Sequence, residues 1–317
     1  MKLINENLKC GVLRELLKDY RISINDLATN LKSSRRKILT IINFFKKNGY
    51  INGHTVVLNP YLPQQRTFFF EIKTNPNEPW FIEELKRLDF ECEGLDGIIG
   101  DYSLILKVKV RNNNEFIQLL KNIDILMAKS YFKKYQLIEV LQTYKEHGVV
   151  FQNSSKIGKL DDIGYEIIKI LKRQPINSYT TSEISDILRT RNIKISQPAT
   201  WKRIDKLIKD GIIKKFTLTL DRDKFHFTKF YLRLKVDPAQ HDEIARKFLS
   251  KQINIVDLYR TGENYGLLAV ILVKNISDFN NFIIKLYNSG INIIDTNTTL
   301  VIDERLKKII VPEDFFK

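Results

Sequence analysis

The chain repeats itself. Phe68-Phe69-Phe70-Glu71-Ile72-Lys73 recurs 162 residues later as Phe230-Tyr231-Leu232-Arg233-Leu234-Lys235. At the same offset Gly49-Tyr50-Ile51 answers to Gly211-Ile212-Ile213, and Gly100-Asp101 to Gly262-Glu263. One residue further out of step, Tyr102-Ser103-Leu104-Ile105-Leu106 answers to Tyr265-Gly266-Leu267-Leu268-Ala269. An offset held across well-separated segments marks duplication of a unit of roughly 150 residues, a period far too long for a solenoid. The fold must be one that can be built twice from a two-part module.

The second copy gives the cleaner pattern. Ile163, Ile167, Ile170 and Leu171 share one helical face, which predicts a helix over 161–173 capped by Asp161 or Asp162. Thr181 caps a short helix that buries Ile184, Ile187 and Leu188. Ser196 caps a third, with Pro198 in its first turn and Gly211 as its stop. Three such helices followed by a β-branched run over 212–220 make a winged helix-turn-helix pattern. Then come a strand over 230–236, a helix over 242–249, strands over 253–259 and 265–273, a helix capped by Ser277, and a strand over 291–302. This is the β-α-β-β-α-β order of a ferredoxin-like domain. The first copy repeats it over 68–73, 79–88, 94–99, 102–110, 114–121 and 128–141. The expected class is α+β, with two winged helix-turn-helix domains, 1–58 and 160–221, alternating with two ferredoxin-like domains, 59–142 and 222–317. The polar stretch 143–159 reads as the linker.

Composition points to the partner. Fifty-two basic against 37 acidic residues give a net charge of +15, which favours a polyanion, double-stranded DNA first. No apolar run approaches ~18 residues and no secretory signal opens the chain, so the expectation is a cytoplasmic, nucleoid-associated protein with no membrane partner. Cys10 and Cys92 are too few for a disulfide scaffold or a thiolate zinc site. His54, His147, His226 and His241 lack ligand spacing, and there is no Gly-rich phosphate loop or nucleophile elbow. No metal and no cofactor are expected.

The pattern Ser196, Thr200, Arg203, Ile204, Leu207, Gly211 and Ile213, with the opening Leu160-Asp161-Asp162-Ile163, resembles the Lrp/AsnC (feast/famine) transcription regulators, here as two fused copies. The resemblance implies a DNA-binding regulator with two non-identical recognition helices, a site that need not be palindromic, and an intramolecular pseudo-dimer of sensor sheets that could assemble further into a homodimer or higher. The first copy departs from the pattern. Ser34, Ile38, Ile42, Gly49 and Ile51 keep it, but Phe45 replaces the Leu and Ile41 stands where the family has Arg.

The expected DNA-binding residues are Ser34, Arg35, Arg36, Lys37 and Thr40 in the first copy and Ser196, Gln197, Ala199, Lys202 and Arg203 in the second. Gln can read adenine, Lys and Arg can read guanine or hold phosphate, and Ala can meet a thymine methyl. Trp201 has two readings, DNA contact or packing on a neighbouring element. By the resemblance, the turns Gly100-Asp101-Tyr102 and Gly262-Glu263-Asn264 line an effector pocket. Where amino-acid-binding members carry an Asp, this chain has Ser103 and Gly266, so the expected effector is a small molecule other than an amino acid. Two alternatives use the same module. One is an architectural DNA-binding protein without sequence preference. The other is a sirohaem decarboxylase-like enzyme, which would hold a tetrapyrrole with His and Arg. The strand pairs over 94–110 and 253–273 contain no His, and Arg260 is the one Arg at the second turn. The expectation is therefore that the chain is not an enzyme.

Overall fold

The computed structural model describes residues 6–62, 65–88, 90–152, 157–305 and 309–316. In chain order they form α1 (Glu6–Lys18), α2 (Ile24–Asn30), α3 (Arg35–Lys47), β1 (Ile51–Leu58), β2 (Arg66–Lys73), α4 (Pro79–Arg87), β3 (Glu91–Ile98), β4 (Leu104–Val110), α5 (Asn113–Lys129), β5 (Lys134–Glu146), β6 (Val149–Val150), α6 (Asp162–Lys172), α7 (Thr181–Thr190), α8 (Gln197–Lys209), β7 (Ile213–Leu220), α9 (Arg222–Phe225), β8 (Thr228–Val236), α10 (His241–Lys247), β9 (Ile255–Thr261), β10 (Gly266–Val273), α11 (Ile276–Tyr287) and β11 (Ile293–Glu304). The expected α+β content holds. The chain divides into two compact units. The first is Met1–Leu62 with His147–His226 and Lys308–Lys317; the second is Pro63–Glu146 with Phe227–Lys307.

In the first unit, short polar caps start the helices. The Ser34 hydroxyl accepts from the Lys37 N–H, Asp161 from Gly164 and Ser196 from Ala199. The α7 cap is Thr180 rather than the expected Thr181, because Glu183 three residues on closes a reciprocal capping box with it. Ile167, Ile168, Leu171, Ile184, Leu188 and Leu207 bury one side of α6 to α8 against Val56, Leu58 and Phe216 of the strands.

β1 and β7 pair antiparallel, from Ile51 opposite Leu220 to Leu58 opposite Ile213. Thr55 lies opposite Thr217. These two are counterparts at the repeat offset (217 − 55 = 162), so a local two-fold passes between them. The flanking pairs obey it: His54 faces Leu218 and Val56 faces Phe216.

The second unit is a ring of eight strands in the order β2-β4-β3-β11-β8-β10-β9-β5, closed by β5 on β2, with each neighbouring pair antiparallel. The last strand of each copy pairs with the second strand of the other: Ile98 lies opposite Val301, and Thr261 opposite Val140. Alternation assigns the faces. Phe68, Phe70 and Ile72 pack with Phe81, Leu85 and Ile123 of α4 and α5, while Phe230, Leu232 and Leu234 pack with Ile244, Phe282 and Leu286 of α10 and α11. Phe69, Glu71, Tyr231 and Arg233 point to the opposite face, and all four are buried.

Several expected boundaries move. The helix expected over 114–121 runs on to Lys129, because Leu119, Ile123, Leu126 and Met127 continue the buried stripe, and the strand after it starts at Lys134 rather than 128. That strand continues to Glu146, into the stretch expected as linker, with Thr143, Tyr144, Lys145 and Glu146 all buried. The centre of the expected linker, 153–156, lies outside the described residues. The cap of α11 is Asn275, which accepts from the Asp278 N–H, and not Ser277.

Candidate nucleic-acid interface and effector turns

A helix N-terminus carries partial positive charge, which a first-turn acid usually offsets. α1, α2, α6 and α7 carry such an acid in Glu6, Asp26, Asp162 and Glu183. α3 and α8 carry none. In α3 the opposite charge is present: Arg35, Arg36 and Lys37 fill the first turn and are exposed. Thr40, also exposed, donates from its hydroxyl to the Arg36 carbonyl at 2.8 Å. Ile38, Ile41 and Phe45 face inward. The turn before α3 forms an open groove of about 370 Å³ lined by Ala28, Thr29, Lys32, Ser33, Ser34 and Lys37. Lys32 adopts a left-handed backbone there, φ 47°. Ala28, Thr29 and Ser33 escaped the sequence reading.

α8 is built differently. Ser196, Gln197 and Lys202 are exposed, Ala199 is half-buried, and Thr200 is buried with its hydroxyl donating to the Ser196 carbonyl at 3.0 Å. Arg203 turns back onto Asp161, donating from Nη1 to Oδ2 at 2.6 Å. That bond holds the Asp161 carboxyl below the usual carboxylate range. Asp161 thus caps α6 and anchors Arg203 at once. Trp201 is 57% exposed.

Of the two turns expected to line an effector pocket, the second supplies Glu263 to a buried ionic network around Arg233. Arg233 donates from Nη2 to Glu71 and from Nε to Glu263 at 3.1 Å. Its Nη1 reaches Asn297 Oδ1 at 3.2 Å. Burial raises the Glu263 pKa, with Arg233 acting against it. Tyr102 lies in the field of Glu71 and Arg233, and Tyr265 in that of Arg233 and Glu263. In the first turn Gly100 has φ 147°, its carbonyl accepts from Lys73 Nζ at 3.2 Å, Asp101 is exposed and Tyr102 donates to Gln136 at 3.1 Å. In the second, the Gly262 N–H donates to the Glu139 carbonyl at 3.0 Å and Asn264 accepts from Lys235 at 3.4 Å. Glu71 and Arg233 were missed by the sequence reading. The signal was present, since the repeat places opposite charges at one position.

A second buried cluster lines the same ring. Lys107 donates to Glu146 and to the Tyr259 hydroxyl, both at 2.7 Å, and Lys109 donates to the other Glu146 oxygen at 3.0 Å. Burial works against the Lys109 charge, but Glu146 and Glu93 more than offset it and hold its pKa above the usual lysine range. Lys229 pairs with Asp96 at 2.7 Å, and Tyr231 donates to the same carboxylate.

This geometry defines a winged helix-turn-helix protein whose helix termini suit an anion. A family model for winged helix-turn-helix DNA-binding domains matches residues 7–52. That is the stretch whose third helix, α3, departs from the sequence pattern. The regulator LysM of Sulfurisphaera tokodaii is 31% identical over 144 residues, 45% of this chain and 95% of its own length. The regulator FL11 of Pyrococcus horikoshii is 31% identical over 45% of this chain and 89% of its own. The leucine-responsive regulatory protein of Escherichia coli is 30% identical over 35% of this chain and 70% of its own. The chain belongs to the Lrp/AsnC family of HTH-type transcriptional regulators.

The solved structures add a correction. The sirohaem decarboxylase NirDL covers 98% of this chain and 97% of its own, with a TM-score of 0.62 and 13% identity. Its co-complex with an iron-uroporphyrin III analogue covers 96% of both chains, with a TM-score of 0.58. At that identity the likeness shows the fold. It overturns the expectation that the chain is not an enzyme, because this fold, nearly end to end, is one that an enzyme uses. Among the described residues no helix is long and apolar enough to cross a membrane.

Proposed function

We propose that the chain is a transcription regulator that binds double-stranded DNA through two unlike winged helix-turn-helix modules, paired in one chain by duplication and accompanied by two ferredoxin-like halves. The observation that carries this reading is the first turn of α3, where Arg35, Arg36 and Lys37 stand exposed at a helix N-terminus without an acid, beside a groove holding Lys32. Backbone N–H groups, helix dipole and side-chain cations there all favour phosphate. Ser34 and Thr40 belong to the same surface. On α8, Ser196, Gln197, Ala199 and Lys202 present a less charged surface suited to base edges, with Arg203 held in reserve by Asp161. The first module anchors and the second reads. Because the β1–β7 ladder joins the modules, the two half-sites should have a fixed spacing.

The test is selection of bound duplexes from a random pool, followed by a salt titration on the winner. Recovery of one asymmetric sequence, with affinity falling steeply as salt rises, supports the proposal. Equal binding of every duplex would leave the architectural reading, and none at low salt would end both.

The near-complete coverage by NirDL favours one second reading, an enzyme acting on a tetrapyrrole carboxylate. Incubation with sirohaem, read by absorbance and by mass loss of the carboxyl groups, tests it directly.

A further inference from the structure

Leu39 on α3 and Trp201 on α8 occupy the same position of the two copies (201 − 39 = 162). Both are exposed, Leu39 at 43% and Trp201 at 57%. Each follows a buried residue, Ile38 or Thr200, so helical rotation turns it away from the core side. Each lies one turn after the helix start, on the flank of the exposed polar groups. Arg35 and Arg36 precede Leu39 at i−4 and i−3, and Gln197 precedes Trp201 at i−4. A single exposed apolar residue needs no explanation. Two large ones at one repeat position, both in the first half of a candidate recognition helix, do. At α3, Arg35 and Arg36 at i−4 and i−3 of Leu39 favour a polyanionic partner.

Resting on the DNA-binding reading above, we propose that residues 39 and 201 are paired specificity residues, each pressing an apolar surface against thymine methyl groups in the major groove. The methyl is the one apolar feature of the groove floor, and only an apolar side chain rewards its presence. Leu39 covers one methyl. The wider indole of Trp201 covers adjacent ones, so the second half-site depends more strongly on thymine than the first.

The experiment uses the full-length protein and its selected duplex, with thymine replaced by uracil in one half-site at a time. That change removes the methyl alone. Replacement in the second half-site should weaken binding about three- to tenfold per methyl covered, and replacement in the first about half as much on a logarithmic scale. Trp201→Ala should lose most of the discrimination between the thymine and uracil versions of the second half-site, the remainder resting on Ala199, and Leu39→Ala should do so for the first. In a Trp80→Phe background, duplex binding should shift Trp201 fluorescence. If the duplex binds but uracil replacement costs nothing, or if Trp201→Ala keeps full discrimination, this proposal is wrong and the DNA reading stands. If no duplex binds at low salt, the DNA reading falls and takes this proposal with it.

Discussion

Arg233 donates to Glu71, and the two residues are the same position of the repeat. In a dimer of identical chains that position would face its own copy across the two-fold axis, arginine against arginine or glutamate against glutamate. In this chain it holds opposite charges instead. Phe69 and Tyr231, one step of the alternation away, are also counterparts and meet edge to face at 6.3 Å. At the centre of the ring, residues 162 apart in the sequence meet with complementary side chains.

Charge reversal tests that pairing. Arg233→Glu sets a third carboxylate against Glu71 and Glu263, and losing one partner of a buried pair costs about 3–5 kcal/mol. Adding Glu71→Arg should return much of the loss. Urea denaturation midpoints of the two single variants and the double variant give the coupling directly; strict additivity would show that the pair is energetically idle.

Acid sensitivity should trace to histidine. Burial depresses the His54 pKa below its ordinary 6.5, and the ring sits against Tyr20 at 4.6 Å with Nδ1 2.9 Å from the Pro175 carbonyl. A depressed folded pKa means stability fully present above about pH 6.5 and lost as pH falls through the folded value. His241 is shifted the same way, also mainly by burial. Between pH 7 and 5.5 the melting temperature should therefore decline, and more shallowly in His54→Gln. An identical slope in that variant would assign the decline elsewhere.

Neutralising the α3 first turn should change the salt dependence. Arg35→Ala, Arg36→Ala and Lys37→Ala together should weaken binding to all duplexes and flatten the log–log salt slope by about 0.9 for each phosphate no longer neutralised. Anisotropy titrations across a salt series measure it, and an unaltered slope would remove α3 from the interface.

Asp161→Ser should act in the opposite direction. Serine still caps α6, so stability should change by only a few tenths of a kcal/mol. Arg203 is set free, and affinity for DNA of any sequence should rise with a steeper salt slope. Binding no tighter than that of the parent would mean that Arg203 cannot reach the duplex even when released.

Free amino acids should produce no thermal shift. Glu263, the carboxylate nearest the second turn, is committed to Arg233, leaving an incoming ammonium without that partner. A ligand at 100 times its dissociation constant would add about 2.7 kcal/mol and be plain in a melting curve. A shift with one amino acid that survives the double change Asp101→Asn, Glu263→Gln would place the pocket away from both turns.

The element types were legible in the sequence because each rests on local chemistry. Ser34 and Ser196 before apolar stripes, Gly49 and Gly211 after them, and alternating runs such as 230–236 all left marks that needed no partner. Boundaries set by tertiary packing were not legible. Nothing local tells that Tyr144 to Glu146 continue a strand, since their burial comes from residues such as Lys107 and Asp242 far away in sequence. The Arg203 side chain was read by type, and Asp161, 42 residues earlier, decides where it points. Closure of the ring was also hidden, because register between copies depends on pairs such as Ile98 with Val301.

That closure has a consequence for how the molecule is made. As the chain leaves the ribosome, β2, β4, β3 and β5 are complete long before β9 and β11 exist, so the first sheet must wait with two unpaired edges. Such edges invite pairing with neighbouring nascent chains. Pairings so distant in sequence also form slowly. The second half of the chain is thus the natural shield of the first during synthesis, and a transcript cut short within it would release a product with open, adhesive edges.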